Sequence, residues 1–324
     1  GSGHARSSHA ARDERRVRRL AALGGEDAPC GVEAGDVVGL GERAHEDDVA
    51  PVGVGLDRGP RDGMPVLLLH GFPYDVHSYQ DVAPMLAARG CRVVVPYLRG
   101  HRTTHFIEPS EPRSGQQGAI GADVIALMDA LEIPNAILAG YDWGGRAACV
   151  VAALWPERCR GLVSVNGYLI QDIAASVRPA SARVEWGLWY QHYFQSERGR
   201  RGLAENRRDI ARILWERNSP TWTFDEATFE RSASAFDNPD FVDVVVHSYR
   251  HRMGAAEGTA RYADVERRLA ELPPITVPTI TLDGDADGPS EHGRAGRDST
   301  GDAHLGAALN DTGWDGDWYR RAYY

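Results

Sequence analysis

The chain contains no lysine: all 36 of its basic residues are arginine. Schiff-base catalysis, pyridoxal phosphate anchoring and a Walker phosphate loop each need a lysine amine and are excluded. Cysteine is scarce. Cys30, Cys91, Cys149 and Cys159 lie far apart with no CxxC pair, so neither a zinc site nor a disulfide scaffold is indicated, and no metal or other cofactor is expected. Reduced thiols fit a cytoplasmic location. The longest apolar run, around Ala147 to Trp155, falls far short of the roughly 20 residues that span a bilayer. Acidic residues outnumber basic ones, 46 to 36, which argues against a nucleic-acid-binding domain. The arginine-rich stretch from His4 to Arg19 leads into no long apolar segment and reads as a solvated arm, not a secretory leader. Residues 1–62 lack Phe, Trp, Tyr and Ile, and residues 288–324 lack Val and Ile. Neither end therefore offers a buried strand. Both are rich in Gly, Ala, Arg and Asp and resemble a GC-rich gene translated out of frame.

What remains fits a globular chain of 324 residues, 42% hydrophobic and 25% charged, long enough to bury a full core. Met64 to His70 is a continuous apolar run, as expected of a parallel strand covered on both faces. A helix is predicted over Ser78 to Arg89, a strand over Cys91 to Leu98, and a helix with one apolar face over Gly118 to Leu131. A strand over Ala136 to Ala139, a helix over Gly145 to Trp155 and a strand over Gly161 to Val165 continue the alternation. This is the signature of a doubly wound, mostly parallel α/β sheet. The texture then changes to aromatic-rich helical segments, and a strand pattern returns only at Ile275 to Leu282. The expected organisation is a poorly patterned segment at 1–62, the first part of a core at 63–168, an inserted helical cap at 169–272, and the last part of the core at 273–324 with an atypical tail.

Gly140-Tyr141-Asp142-Trp143-Gly144 stands between a predicted strand and a predicted helix, the setting of a nucleophile elbow. Its glycines permit the sharp turn that lifts one side chain above the sheet. Here that side chain is Asp142, although an aspartate before a helix is also an ordinary N-cap. His70-Gly71-Phe72-Pro73 leaves the first strong strand where such a fold draws one oxyanion donor. The backbone N–H groups of Phe72 and Trp143 are the candidate oxyanion hole.

These segments, with LWPERCRGLVSVN after the elbow and the helical insertion, resemble the α/β-hydrolase fold enzymes with an aspartate nucleophile, the epoxide hydrolases and dehalogenases, over roughly residues 64–287. The resemblance implies a carboxylate that attacks a substrate carbon and an ester that a histidine-activated water hydrolyses. Tyr190, in Tyr190-Gln191-His192-Tyr193-Phe194-Gln195, and Tyr249, in Ser248-Tyr249-Arg250, are similar to the two tyrosines with which epoxide hydrolases donate to the epoxide oxygen. Packing of the insertion is the alternative role for both rings. The dehalogenase branch needs halide donors, for which Trp143, Trp186, Trp189, Trp215 and Trp222 are candidates. Arg146 resembles one carboxylate-binding arginine of haloacetate dehalogenases, but Trp143 stands where that pattern has another.

The family pattern places the histidine-orienting acid at Asp287, inside Asp283-Gly284-Asp285-Ala286-Asp287-Gly288. A calcium loop would need flanking helices and a closing Glu that this string lacks. The base histidine is expected after a further strand, and here the sequence departs from the pattern: only His292 and His304 follow. His304, in Gly301-Asp302-Ala303-His304, is the candidate. The resulting expectation is an epoxide hydrolase acting on a small molecule, an epoxide or an organohalide, with no nucleic-acid or membrane partner and a homodimer as the candidate assembly. A dehalogenase with the same nucleophile, and a hydrolase fold reduced to a binding protein by loss of its base, are the alternatives.

Overall fold

The computed structural model describes residues 53–282; Asp287 and His304 lie outside them. Six strands form one sheet in the order β1-β3-β2-β4-β5-β6: Val54–Arg58, Met64–Leu69, Cys91–Pro96, Ala136–Gly140, Cys159–Val165 and Thr279–Leu282 in chain order β1 to β6. All neighbours pair in parallel except β1 with β3. The continuous apolar run of β2 is explained by burial on both faces, with alternate residues pointing to opposite sides. Val66 and Leu68 pack with Val82, Ala83 and Leu86 of helix α1 (Val82–Ala87). Leu67 and Leu69 face the opposite core, which holds Ile120, Val124 and Leu127 of α2 (Gln117–Ala130) and Cys149 and Val150 of α3 (Asp142–Leu154). The sheet is thus wound on both faces, as its sequence pattern predicts.

Three local expectations need correction. The segment 1–62 contains a strand after all: β1 has no aromatic or β-branched run to announce it, yet Val54 is fully buried and the strand pairs along the outer edge of β3. The helix predicted from Ser78 to Arg89 is two pieces, a 3₁₀ turn at Val76–Tyr79 capped by the Asp75 side chain, then α1. Pro84 lacks an N–H and is accommodated only in a first turn, so the helix starts afresh just before it. The last strand begins at Thr279 and not at Ile275, because Pro278 cannot donate to a ladder; its carbonyl instead accepts from the Leu162 N–H.

Between β5 and β6 the chain is helical: α4 (Ala182–Gly187), α5 (Trp189–Tyr193), α6 (Glu197–Asn218), α7 (Glu226–Ala233), α8 (Phe241–Arg252) and α9 (Ala263–Leu269). Ser181, Ser196 and Asp225 cap α4, α6 and α7 with their side chains. Glu266 of α9 accepts from the Gly118 N–H at 2.8 Å at the start of α2. A buried arginine holds the loop after β3: Arg99 binds Asp123 through two hydrogen bonds of 2.7 and 2.6 Å and donates to the Ser114 carbonyl, a bidentate geometry that a lysine could not make. No helix among the described residues is long and apolar enough to cross a membrane.

Candidate active site

β2 and β4 are neighbours in register, with Leu69 opposite Gly140, while β3 lies on the other side of β2. The order in which successive strands are added to the sheet reverses across this parallel pair, and ligands of open α/β sheets bind at such switch points, beyond the carboxyl ends of the strands. His70-Gly71-Phe72-Pro73 and the Asp142 turn emerge there together.

Asp142 occupies left-handed backbone, φ +50°, directly after the extended Tyr141. Aspartate tolerates that conformation better than most residues, but it remains strained. The N-cap alternative fails: the start of α3 has no side-chain cap bond, and Oδ1 of Asp142 accepts instead from the Phe72 backbone N–H at 2.8 Å. Two glycines make this approach feasible. A Cβ on Gly71 would lie 2.6 Å from the Asp142 Cβ, and a Cβ on Gly144 would lie 2.1 Å from the Leu69 carbonyl oxygen. The Trp143 N–H is in the first turn of α3, where backbone donors have no intrahelical acceptor.

The two tyrosines, 59 positions apart in sequence by their numbers, meet above this turn. Their rings stand 5.3 Å apart, edge to face, and both contact Phe72, at 6.2 Å for Tyr190 and 5.6 Å for Tyr249. Trp143 completes the group, 5.7 Å from Phe72 and 5.8 Å from Tyr249. The Tyr190 hydroxyl accepts from Gln191 Nε2 at 3.2 Å. The Tyr249 hydroxyl and Trp143 Nε1 are buried with no hydrogen-bond partner among the described residues, so the group holds two unsatisfied donors. Burial, reinforced by the Tyr190 phenol and the Asp142 carboxylate, holds the Tyr249 phenol well above its ordinary pKa. It is therefore a protonated donor throughout the neutral range.

Several supporting groups were not legible as such. His70 is fully buried with one tautomer fixed: Nε2 accepts from the Leu98 N–H at 3.0 Å, and Nδ1 donates to the Gly71 carbonyl at 3.1 Å. Burial lowers its pKa and keeps it neutral. His101 packs on it edge to face at 4.9 Å, and burial followed by the His70 imidazole lowers its pKa to about 3. Both ring nitrogens of His70 are thus committed to backbone, which makes it a structural imidazole. Phe194 and Phe241 flank Phe72; the YFQ string hinted at the first and nothing singled out the second. Two of the tryptophans considered as halide donors are removed by the structure. Trp186 is 68% exposed, and Trp215 Nε1 donates to the Pro73 carbonyl at 2.7 Å. Asp287 and His304 fall outside the described residues.

A family model described as the alpha/beta hydrolase fold matches residues 64–216. A solved structure of a candidate epoxide hydrolase from Klebsiella pneumoniae is 52% identical and superposes with a TM-score of 0.73, covering 74% of this chain and 80% of that one. Epoxide hydrolase B of Mycobacterium tuberculosis is 31% identical over 152 residues, 43% of this chain, and the match spans only 42% of that relative's length. A haloalkane dehalogenase of Psychrobacter cryohalolentis is 35% identical over 117 residues, 37% of its length. The chain belongs to the α/β-hydrolase family, in its epoxide hydrolase-like branch.

Proposed function

We propose that the protein hydrolyses an epoxide to a diol through an ester on Asp142. The observation that carries this reading is the convergence of the Asp142 carboxylate with two tyrosine rings, one bearing an unpartnered buried hydroxyl. In the first step a carboxylate oxygen of Asp142 bonds to an oxirane carbon as that carbon's bond to the ring oxygen breaks, and the alkoxide takes a proton from Tyr190 or Tyr249, leaving a tyrosinate that regains a proton in the second step. Donors aimed at the developing oxyanion are what this step requires. In the second step His304, oriented by Asp287, takes a proton from water, whose oxygen attacks the ester carbonyl; Phe72 and Trp143 N–H groups hold the oxyanion until the C–O bond to the product breaks, and the two water protons pass to the leaving alkoxide and the tyrosinate, which frees the diol and restores the Asp142 carboxylate. Residues 169–272 serve as the cap that brings the tyrosines over the core.

The test is incubation with aryl and alkyl epoxides, scored for diol and, by mass spectrometry of the intact chain, for an adduct of one substrate that Asp142→Ala abolishes. Diol with turnover supports both steps. A stoichiometric adduct without turnover places the ester on Asp142 and denies the base role to His304. Trp143 Nε1, buried and unpartnered, favours a second reading in which it binds a leaving halide. Halide release from haloalkanes or haloacetate, with epoxides untouched, would select that reading. Neither adduct nor product would leave the fold as a binding module.

A further inference from the structure

Whichever phenol protonates the opened oxirane must carry a negative charge until the second step. The surroundings of the two tyrosine oxygens differ in how well they hold one. Tyr249 is fully buried, and its oxygen receives no hydrogen bond among the described residues. A phenolate there is a desolvated charge without a donor, which is costly. Burial outweighs the Arg252 guanidinium, the cation acting on Tyr249 in the opposite sense, and the phenol is held well above its ordinary pKa.

Tyr190 is supplied differently. Its oxygen accepts from Gln191 Nε2 at 3.2 Å, and Gln191 is only 2% exposed, so the donor is shielded from water. Over the ring lies a cation: Arg217, in the last turn of α6, has its Cζ 5.8 Å from the Tyr190 ring centroid. No acid matches this guanidinium among the described residues. Its Nε and Nη1 are buried with no hydrogen-bond partner, and Nη2 donates to the neutral Asn218 side chain at 3.0 Å. The negative end of the α6 dipole favours a cation there, but it does not account for two buried, unpaired N–H groups beside an aromatic ring. A desolvated guanidinium without a partner is costly in the resting protein. That cost is offset when an anion forms beside it, and groups preorganised for a charge that develops only in the reaction are the ones that accelerate it.

We infer that Tyr190 is the phenol that protonates the oxirane oxygen, and that Arg217, acting through the Tyr190 ring, stabilises the phenolate left behind. The Tyr190 O–H bond breaks as the alkoxide O–H bond forms, and the proton returns during ester hydrolysis. Tyr249 donates a hydrogen bond and keeps its proton. The inference rests on the function proposed above and divides the labour of its two tyrosines. Arg217 reaches the reacting atoms only through Tyr190, which makes it a positioning residue.

A double-mutant cycle on the full chain tests this, read as the single-turnover rate at which the Asp142 adduct grows. With propylene oxide, Arg217→Met should slow adduct formation about tenfold, and Arg217→Lys should restore most of the rate because the charge returns. In a Tyr190→Phe background Arg217→Met should change nothing further; in a Tyr249→Phe background it should cost the full factor again. The trifluoromethyl analogue of propylene oxide releases a less basic alkoxide and needs less help from an acid, so Arg217→Met should slow its opening markedly less. Arg217→Gln supplies the same cycle if the methionine variant folds poorly. An undiminished loss in the Tyr190→Phe background, or equal losses with both epoxides, would overturn the assignment and make Arg217 a packing residue while the activity stands. An unaltered chain that forms no adduct with either epoxide would sink the activity, and the assignment with it.

Discussion

The Phe72 N–H reaches Asp142 Oδ1 at 2.8 Å across 70 positions of sequence. One oxygen of the carboxylate is thereby held by backbone. Under the proposed function the other attacks, and a rotamer fixed before substrate arrives is the preorganisation that covalent catalysis needs.

Asp142→Asn preserves the side-chain volume and tolerates the left-handed backbone as aspartate does. It should fold with a melting temperature close to that of the parent and form neither adduct nor diol. Diol formation at parental rate in this variant would remove Asp142 from the mechanism.

Tyr249→Phe removes a buried hydroxyl that has no described partner. Removing an unsatisfied polar group is neutral or stabilising, so the melting temperature should hold or rise. Ring opening in a single turnover should fall by about 10²–10³, the usual loss for one transition-state donor. Tyr190→Phe should slow the same step, and parental single-turnover rates in both variants would make the pair packing residues.

Gly71→Ala should fail differently. Its methyl would meet the Asp142 Cβ at 2.6 Å and Oδ1 at 2.9 Å. Overpacking of this kind costs about 1–3 kcal/mol, read as a lower denaturant midpoint, and the displaced Phe72 loop should slow adduct formation. A parental midpoint and rate would show that the loop yields freely.

Trp215→Phe keeps an aromatic ring against Tyr74, on which Trp215 is stacked at 5.0 Å, but loses the bond to the Pro73 carbonyl. The loss should be about 1 kcal/mol, with a fall in kcat larger than any change in KM, since the Phe72 turn is held through Pro73. Unchanged kcat would confine Trp215 to packing.

Stability should decline with acid from about pH 6.5, the ordinary imidazole value. The folded His101 pKa is lowered to about 3, and that of His70 is lowered too. Between those values and 6.5 the unfolded chain binds protons that the folded chain refuses, so the contribution is complete above 6.5 and is lost progressively as pH falls toward about 3. Denaturant midpoints from pH 7 to 4 check this; the fall should be shallower in the His101→Gln variant than in the parent, with the remainder due to His70, and parallel profiles would remove His101 from the effect.

The fold and the elbow were legible because their constraints fix residue type. Gly144 must lack a Cβ beside the Leu69 carbonyl, and the β2 run must be apolar on both faces, so each shows in the residues themselves. The strand β1 left none, since an edge strand with one buried face can be as plain as VGLDR. The tyrosines were readable through resemblance, but their meeting over Phe72 depends on how α5 and α8 pack. Trp215 was misjudged for the same reason: its indole N–H is committed to a carbonyl far away in sequence.

The pairing of Leu69 with Gly140 gives the molecule a built-in gauge. Phe72 and Asp142 each lie within three residues of that pair, so their contact reports the alignment of two strands. A slip of a single residue would shift it by about 3.3 Å and turn Leu67 and Leu69 toward the wrong core. Chemistry at Asp142 should therefore vanish in any sheet variant that misaligns β2 with β4, even where the helices still form and the chain still looks folded to circular dichroism.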